Sequence, residues 1–256
     1  ARFPVTATVH PGRLPARRDF PVTNWFYANA LFDWYGTDGF DERFWTLAKP
    51  YFANLAEHGQ DTIYSPIFTP PLDGEKRPTQ LVGVVRDGDG YRFDWSLVRR
   101  WLDAARSAGL TRFEWSHLVS QWGAANAIAV YTGHGETGER LWEPAGTPAT
   151  SATNRAFLGD FLPAFERFLR DEGVLDASFF HLSDEPHGPE HLASYRAARE
   201  MVRELAPWMP VMDALSEVAF AAAGLIDLPV ALYPAVPAFR SAGYSVWAYS
   251  CNQPRG

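Results

Sequence analysis

The chain has one cysteine, Cys251, in 256 residues. A single thiol cannot close an internal disulfide, so no disulfide framework holds the fold, and a free, buried thiol is expected. No run of eighteen or more apolar residues occurs, which excludes a membrane-spanning helix of ordinary hydropathy. The N-terminus also lacks the charged and apolar regions of a signal segment. A soluble domain is expected. Its compartment is left open, and export within a longer precursor is compatible with the sequence. Lysine and arginine form no cluster and the net charge is -7, which argues against nucleic acid, since that partner is bound by grouped cations. No Gly-x-Gly-x-x-Gly directly follows the first strand, and the sequence has no phosphate loop and no His-Glu-x-x-His. No metal and no organic cofactor is expected.

Apolar residues make up 46% and charged residues 21% of the chain, the balance of a globular protein with a substantial core. Its length suits one large α/β domain, since a single barrel needs about 250 residues. Aromatics reach 15%, with ten tryptophans, and such flat apolar faces suit sugar rings as well as a tryptophan-rich core. Residues 1–20 alternate β-branched and polar types and break at Pro11-Gly12 and Pro15. They are expected to form a strand and linker, the tail of an upstream β domain, ahead of a main domain at 21–256.

In that main domain an amphipathic helix, a glycine stop and an aromatic or β-branched strand recur. Helix 47–58 stops at Gly59 and gives way to strand 62–64. Helix 95–108 stops at Gly109 before strand 112–117, and helix 156–172 at Gly173 before strand 177–181. Further strands are expected at 22–27, 211–214, 230–233 and 245–249, with a helix at 190–205. Helix and strand alternation implies a parallel sheet. Seven strands are one short of a TIM-type (β/α)8 barrel, so the expected fold is such a barrel, cut before its last strand. The Pro-, Gly- and Thr-rich segments 66–90 and 119–153 would then lie on the carboxyl face, where barrels carry their active sites.

The run His181-Leu182-Ser183-Asp184-Glu185-Pro186 places adjacent acids where a strand ends. Acids there are costly unless a ligand or partner uses them. A purely structural account lets Asp184 cap the next helix and makes Glu185 a solvated first-turn acid, but does not explain the buried approach. Pro186 favours an extended Glu185, with twist bringing both acids to one ligand.

Those residues, together with Trp25-Phe26, Phe113-Glu114-Trp115-Ser116-His117, Gln121-Trp122-Gly123, Asp213-Ala214-Leu215-Ser216 and Trp247-Ala248-Tyr249, give the chain its likeness to a known family. It resembles glycoside hydrolase family 123, whose characterised members are β-N-acetylgalactosaminidases, and the related domain-of-unknown-function family 4091. The resemblance implies a glycosidase acting on a glycan with a terminal β-linked N-acetylhexosamine. Glu185 would be general acid and base, a role usually served by a carboxyl of raised pKa. The substrate's own acetamido oxygen would attack the anomeric carbon, with Asp184 stabilising the amide nitrogen of the oxazolinium intermediate.

The seventh strand fits, because it ends in Ser250, Cys251 and Asn252 with no acid to act as nucleophile. Glu114 is the rival nucleophile of a conventional retaining glycosidase, although pairing with Arg112 would account for it more simply. A third reading is a carbohydrate-binding barrel without catalysis. Candidate substrate contacts are Trp25, Glu114, His117, Trp122, His181, Asp213, Tyr233, Trp247 and Tyr249. Of these, Tyr233 and Tyr249 would bond the acetamido carbonyl, Trp247 would wall its methyl group, and Asp213 would bind a hydroxyl, hold Tyr233 or cap a helix near Ser216. His181, His187 and His191 invite a zinc reading, but no supporting carboxylate-histidine cluster accompanies them.

Overall fold

The structure, a computed structural model, describes residues 4–12, 20–72, 74–135 and 137–251. Pro15 and Asn252 lie outside the described residues. Residues 4–12 are exposed and carry no strand, and the rest of the expected strand and linker at 1–20, apart from Phe20, lies outside the described residues. Val5 and Val9 find no apolar surface to cover, and β-branching alone does not make a strand.

In chain order the elements are β1 (Thr23–Asn24), α1 (Ala28–Tyr35), α2 (Glu42–Glu57), β2 (Thr62–Ser65), β3 (Gly83–Asp87), β4 (Gly90–Asp94), α3 (Ser96–Ala108) and β5 (Arg112–Trp115). They continue through α4 (Ala152–Asp171), β6 (Ser178–Phe180), α5 (Gly188–Leu205), β7 (Met212–Ala214), α6 (Val218–Ala222), β8 (Leu228–Leu232), α7 (Val236–Ser241) and β9 (Trp247–Tyr249). Each of the seven expected strand segments overlaps an observed strand, though the first shrinks to the two residues of β1. Of the expected helices, α2 and α4 start four to five residues earlier than the apolar stripe suggested, because side-chain caps set their first turns, whereas α3 starts within one residue of its expected position. Asp41 caps α2 by accepting from Phe44 N at 2.6 Å, and Ser151 caps α4 through Asn154 N at 3.3 Å.

Parallel pairing runs in the order β1-β2-β5-β6 in one sheet and β7-β8-β9 in another. A parallel bridge from Phe180 to Val211 links β6 to β7. The seven strands thus follow one another with all carboxyl ends on one side. Among the described residues β9 does not pair with β1, so the sheets do not close. The fold is mixed α/β with parallel sheets.

A single apolar core lies between sheet and helices. The stripe Phe157, Phe161, Phe165 and Phe168 of α4 turns inward at helical spacing, and Trp95 stacks on Phe168 at a centroid distance of 4.6 Å. Buried tryptophan N–H groups in this core need acceptors, and serines supply them: Trp101 Nε1 donates to Ser65 Oγ at 3.0 Å and Trp115 Nε1 to Ser178 Oγ at 2.9 Å.

The segment 66–90 is not all loop. Its end enters the antiparallel hairpin β3-β4, turning at Gly88 with φ 59°. The long segment after β5 packs on that hairpin through a Val84 to Gly133 bridge, and buried Gln80 ties them by accepting from Tyr131 N at 3.1 Å and donating to Tyr131 O at 2.9 Å. Cys251 is exposed rather than buried, because it follows β9, the last described strand of its sheet. No helix of the described residues is long and apolar enough to cross a membrane.

Candidate active site

Glu114 projects inward from β5, and both of its oxygens are taken. Oε1 accepts from Trp25 Nε1 and His181 Nε2, each at 2.7 Å, and Oε2 accepts from Thr23 Oγ1 at 2.6 Å. The expected Arg112 partner is elsewhere: Arg112 sits at the strand's other end and pairs with Asp61 at 2.7 Å. Glu114 therefore tethers β1 to β6 from within the core, where it is 2% exposed.

Asp213, on β7, is fully buried and also saturated. Its Oδ1 accepts from His181 Nδ1 and Leu182 N, each at 3.0 Å, and its Oδ2 from Ser183 N at 3.1 Å and Tyr195 Oη at 2.6 Å. It caps no helix and does not hold Tyr233, and no oxygen is left for a sugar hydroxyl. Burial pushes its carboxyl up, against the pull of these donors.

His181 lies between the two acids with both ring nitrogens facing carboxylate oxygens, which only accept. It is an imidazolium. Burial alone would lower its pKa, but the hydrogen bonds to Asp213 and Glu114 and their charges raise it to about 10. His117 stacks on this ring at 4.3 Å and bonds Tyr64 Oη through Nδ1 at 3.1 Å. Burial, and then the His181 charge, hold His117 well below its usual pKa, so it is neutral. Its Nε2 is buried without a hydrogen-bond partner.

His117, His181 and Asp213 offer ligand atoms within 4.8 Å of one another. Among the described residues no other group of this kind occurs. A charged His181 donating from both nitrogens has no lone pair for a metal, so these three residues do not fit one. His187 and His191 instead meet each other, with His191 Nδ1 accepting from His187 N at 3.1 Å.

Above this buried base the chain leaves β6 and turns sharply. Asp184 is 4% exposed, and Gln121 Nε2 donates to its Oδ2 at 2.9 Å while Oδ1 is buried without a partner. Burial raises the Asp184 carboxyl to about 7, helped by the Glu185 charge and opposed by Gln121 and His181. Glu185 is not extended: its φ is 45°, left-handed, which costs a non-glycine residue about 1 kcal/mol or more. Proline restricts the preceding residue, but hydrogen bonds decide here. Glu185 N donates to Ala214 O at 2.9 Å, and Trp122 N donates to Asp184 O at 2.8 Å.

The Glu185 side chain is half-buried, and its Oε1 accepts from the Tyr249 hydroxyl at the end of β9. Burial, then Glu185, raise the Tyr249 phenol, which stays protonated. Asp184 caps no helix: the start of α5 is served by Glu217, whose Oε1 accepts from Gly188 N at 2.8 Å.

Gln121 was quoted in the sequence motif but not counted among the site residues. Nothing in a lone glutamine signals that it will reach an acid 63 positions away. Its loop is fixed by Gly123, at φ 113°, where a Cβ would lie 2.6 Å from His191 Cδ2. Neighbouring Trp122 is held at φ 57° and left 57% exposed. Trp25 walls the site, tilted over Tyr64 at 5.2 Å. Trp247 packs edge-on against Phe179 at 5.0 Å, and Tyr233 is 74% exposed with no hydrogen bond to the cluster among the described residues.

The site thus offers a buried acid with a raised pKa, a second acid oriented by a phenol, and an aromatic border at the carboxyl ends of parallel strands, where open α/β sheets bind ligands. No curated protein matches the chain in sequence. Among solved structures it is similar to a family 123 glycoside hydrolase from Clostridium perfringens, studied for glycolipid glycan hydrolysis. The TM-score is 0.64 at 13% identity, over 90% of this chain and 43% of that one. The likeness shows a common fold, with the chain spanning 43% of the other's length. The sequence model of the glycoside hydrolase 123 catalytic domain matches residues 25–255, and the chain belongs to that family of glycosidases.

Proposed function

We propose that residues 21–256 belong to a (β/α)8 barrel of a retaining exo-β-N-acetylgalactosaminidase that uses the substrate's acetamido group as nucleophile. The parallel order from β1 to β9, continued by the bridge between β6 and β7, supports the barrel. The substrate class is a glycan or glycoconjugate ending in a β-linked N-acetylhexosamine, of which a glycolipid glycan is one form. The galacto configuration comes from the family resemblance alone.

The observation that carries the mechanism is the unequal state of the carboxylates. Glu114 and Asp213 are saturated by hydrogen bonds inside the core, whereas Asp184 keeps a buried oxygen without a partner and Glu185 is presented by Tyr249. The acetamido carbonyl oxygen attacks C1 while Glu185 gives its proton to the departing glycosidic oxygen. Asp184 Oδ1 accepts the acetamido N–H and balances the positive charge that grows on the ring formed. Glu185 then takes a proton from water as the water oxygen attacks C1, restoring the acetamide with retained configuration. His117 Nε2, Trp25, Trp122, Trp247 and Tyr233 are the proposed contacts to the sugar and its aglycone. No metal or organic cofactor takes part.

The test compares nitrophenyl β-N-acetylgalactosaminide, its gluco epimer and the plain galactoside. Hydrolysis of the N-acetylgalactosaminide, lost on Glu185→Gln, is expected. Equal turnover of the plain galactoside would overturn the acetamido mechanism and favour a conventional nucleophile.

A further inference from the structure

The residue whose position is hardest to explain by substrate contact is Asp213. It is 0% exposed and lies one strand away from the acids, yet it binds the two backbone amides that immediately precede them, Leu182 N at 3.0 Å and Ser183 N at 3.1 Å. An ordinary parallel neighbour offers backbone carbonyls to those amides. Here β6 ends at Phe180 and a side-chain carboxylate takes over from the ladder.

The same carboxylate is fixed from two further directions, by His181 Nδ1 at 3.0 Å and by Tyr195 Oη of α5 at 2.6 Å. His181 is tied in turn to Glu114 on β5 at 2.7 Å, and Glu114 to Thr23 and Trp25 beside β1. One polar chain therefore runs under the site from β1 to α5, and it ends on the residues that set the direction of Asp184 and Glu185.

We propose that Asp213 is a positioning residue: by holding the Leu182 and Ser183 amides against the His181 ring, it turns the chain so that Glu185 adopts its left-handed conformation with its carboxyl toward Tyr249. Two neighbouring contacts complete the turn, Glu185 N to Ala214 O at 2.9 Å and Ser183 Oγ to Ser120 O at 2.7 Å. Ala214 is the next residue of the same strand, so displacement of β7 at Asp213 moves the acceptor of Glu185 N as well. Asp213 touches no substrate; its effect is on where the acid stands.

The proposal rests on the acid and base role of Glu185 given above. It is tested with Asp213→Asn, Glu185→Gln and Tyr195→Phe on nitrophenyl β-N-acetylgalactosaminide. Asparagine keeps one acceptor but turns a donor toward the Ser183 N–H and the Tyr195 hydroxyl. In the folded Asp213→Asn protein kcat is expected to fall on the order of 100-fold, as for a misplacement near 1 Å, with KM changed less than about threefold. Should that variant not fold, Tyr195→Phe removes one donor from Oδ2, and a kcat fall of about fivefold or more at steady KM is expected.

A structural role alone would lower the unfolding midpoint and leave kcat of the folded protein intact. Unchanged kcat in Asp213→Asn, or in Tyr195→Phe where only that variant folds, overturns the proposal if Glu185→Gln is inactive. An active Glu185→Gln overturns the acid and base role itself, and the positioning role falls with it.

Discussion

The side-chain amide of Gln121 donates to Asp184 Oδ2 at 2.9 Å, a hydrogen bond that supports the ionised form of a carboxyl otherwise raised by burial. Gln121→Ala is expected to raise the Asp184 pKa above its value of about 7 and to lower kcat/KM at pH 7 by about tenfold, the worth of one hydrogen bond to a charged group. Because higher pH ionises Asp184 regardless, the deficit should shrink as pH rises. A pH-rate comparison of the two proteins checks it; equal activity at pH 7 contradicts it.

Asp184 also links stability to pH. Its folded pKa of about 7 lies above the usual 3.8, so its contribution is fully present below pH 3.8 and is lost as pH rises through 7, at up to about 1.4 kcal/mol per pH unit. Asp184→Asn does not titrate. In urea unfolding, its stability relative to the natural protein is expected to improve steadily from pH 4 to 7 and then level off. A constant difference would mean that Asp184 titrates like a solvated carboxyl.

His181 has the same sign of linkage, in a higher pH range. Replacing it with Gln leaves Glu114 and Asp213 buried without their shared cation, a loss of about 3–5 kcal/mol. With a folded pKa raised from 6.5 to about 10, the stabilisation is fully present below pH 6.5 and lost as pH rises through 10. The gap between the natural protein and His181→Gln in urea unfolding should therefore narrow over that range. A gap below about 1 kcal/mol at pH 6 would remove the imidazolium from the account.

Tyr249→Phe deletes the hydroxyl that orients Glu185 Oε1. The expected effect is a kcat about tenfold lower with KM within about threefold, since the group acts on the acid and not on substrate affinity. Steady-state kinetics decide it, and a rise in KM alone would make Tyr249 a substrate contact.

Much of this was legible because sequence and structure agree locally. Strands such as Ile63-Tyr64 and Phe113-Glu114-Trp115 are short aromatic or β-branched runs after a glycine stop, and they appear as β2 and β5. The β3-β4 hairpin was also readable from Asp87-Gly88 between Val84-Val85 and Tyr91-Arg92-Phe93, but the surrounding proline and glycine drew it into a loop. The run from His181 to Pro186 marked the site, whereas the partners within it were hidden. Arg112 and Glu114 are two residues apart on one strand face, and only the neighbouring strands decide that one meets Asp61 and the other His181. The left-handed Glu185 contradicts what Pro186 alone suggests, because contacts from β7 and the 121–123 loop fix the turn.

The most direct test of acetamido participation is the rate on aryl β-N-acetylgalactosaminides whose acetyl methyl carries no, one, two or three fluorines. Fluorine withdraws electrons from the carbonyl oxygen without removing it. If that oxygen attacks C1 beside Asp184, log kcat/KM falls steeply and steadily along the series. A flat series would contradict the account and return the nucleophile to the protein.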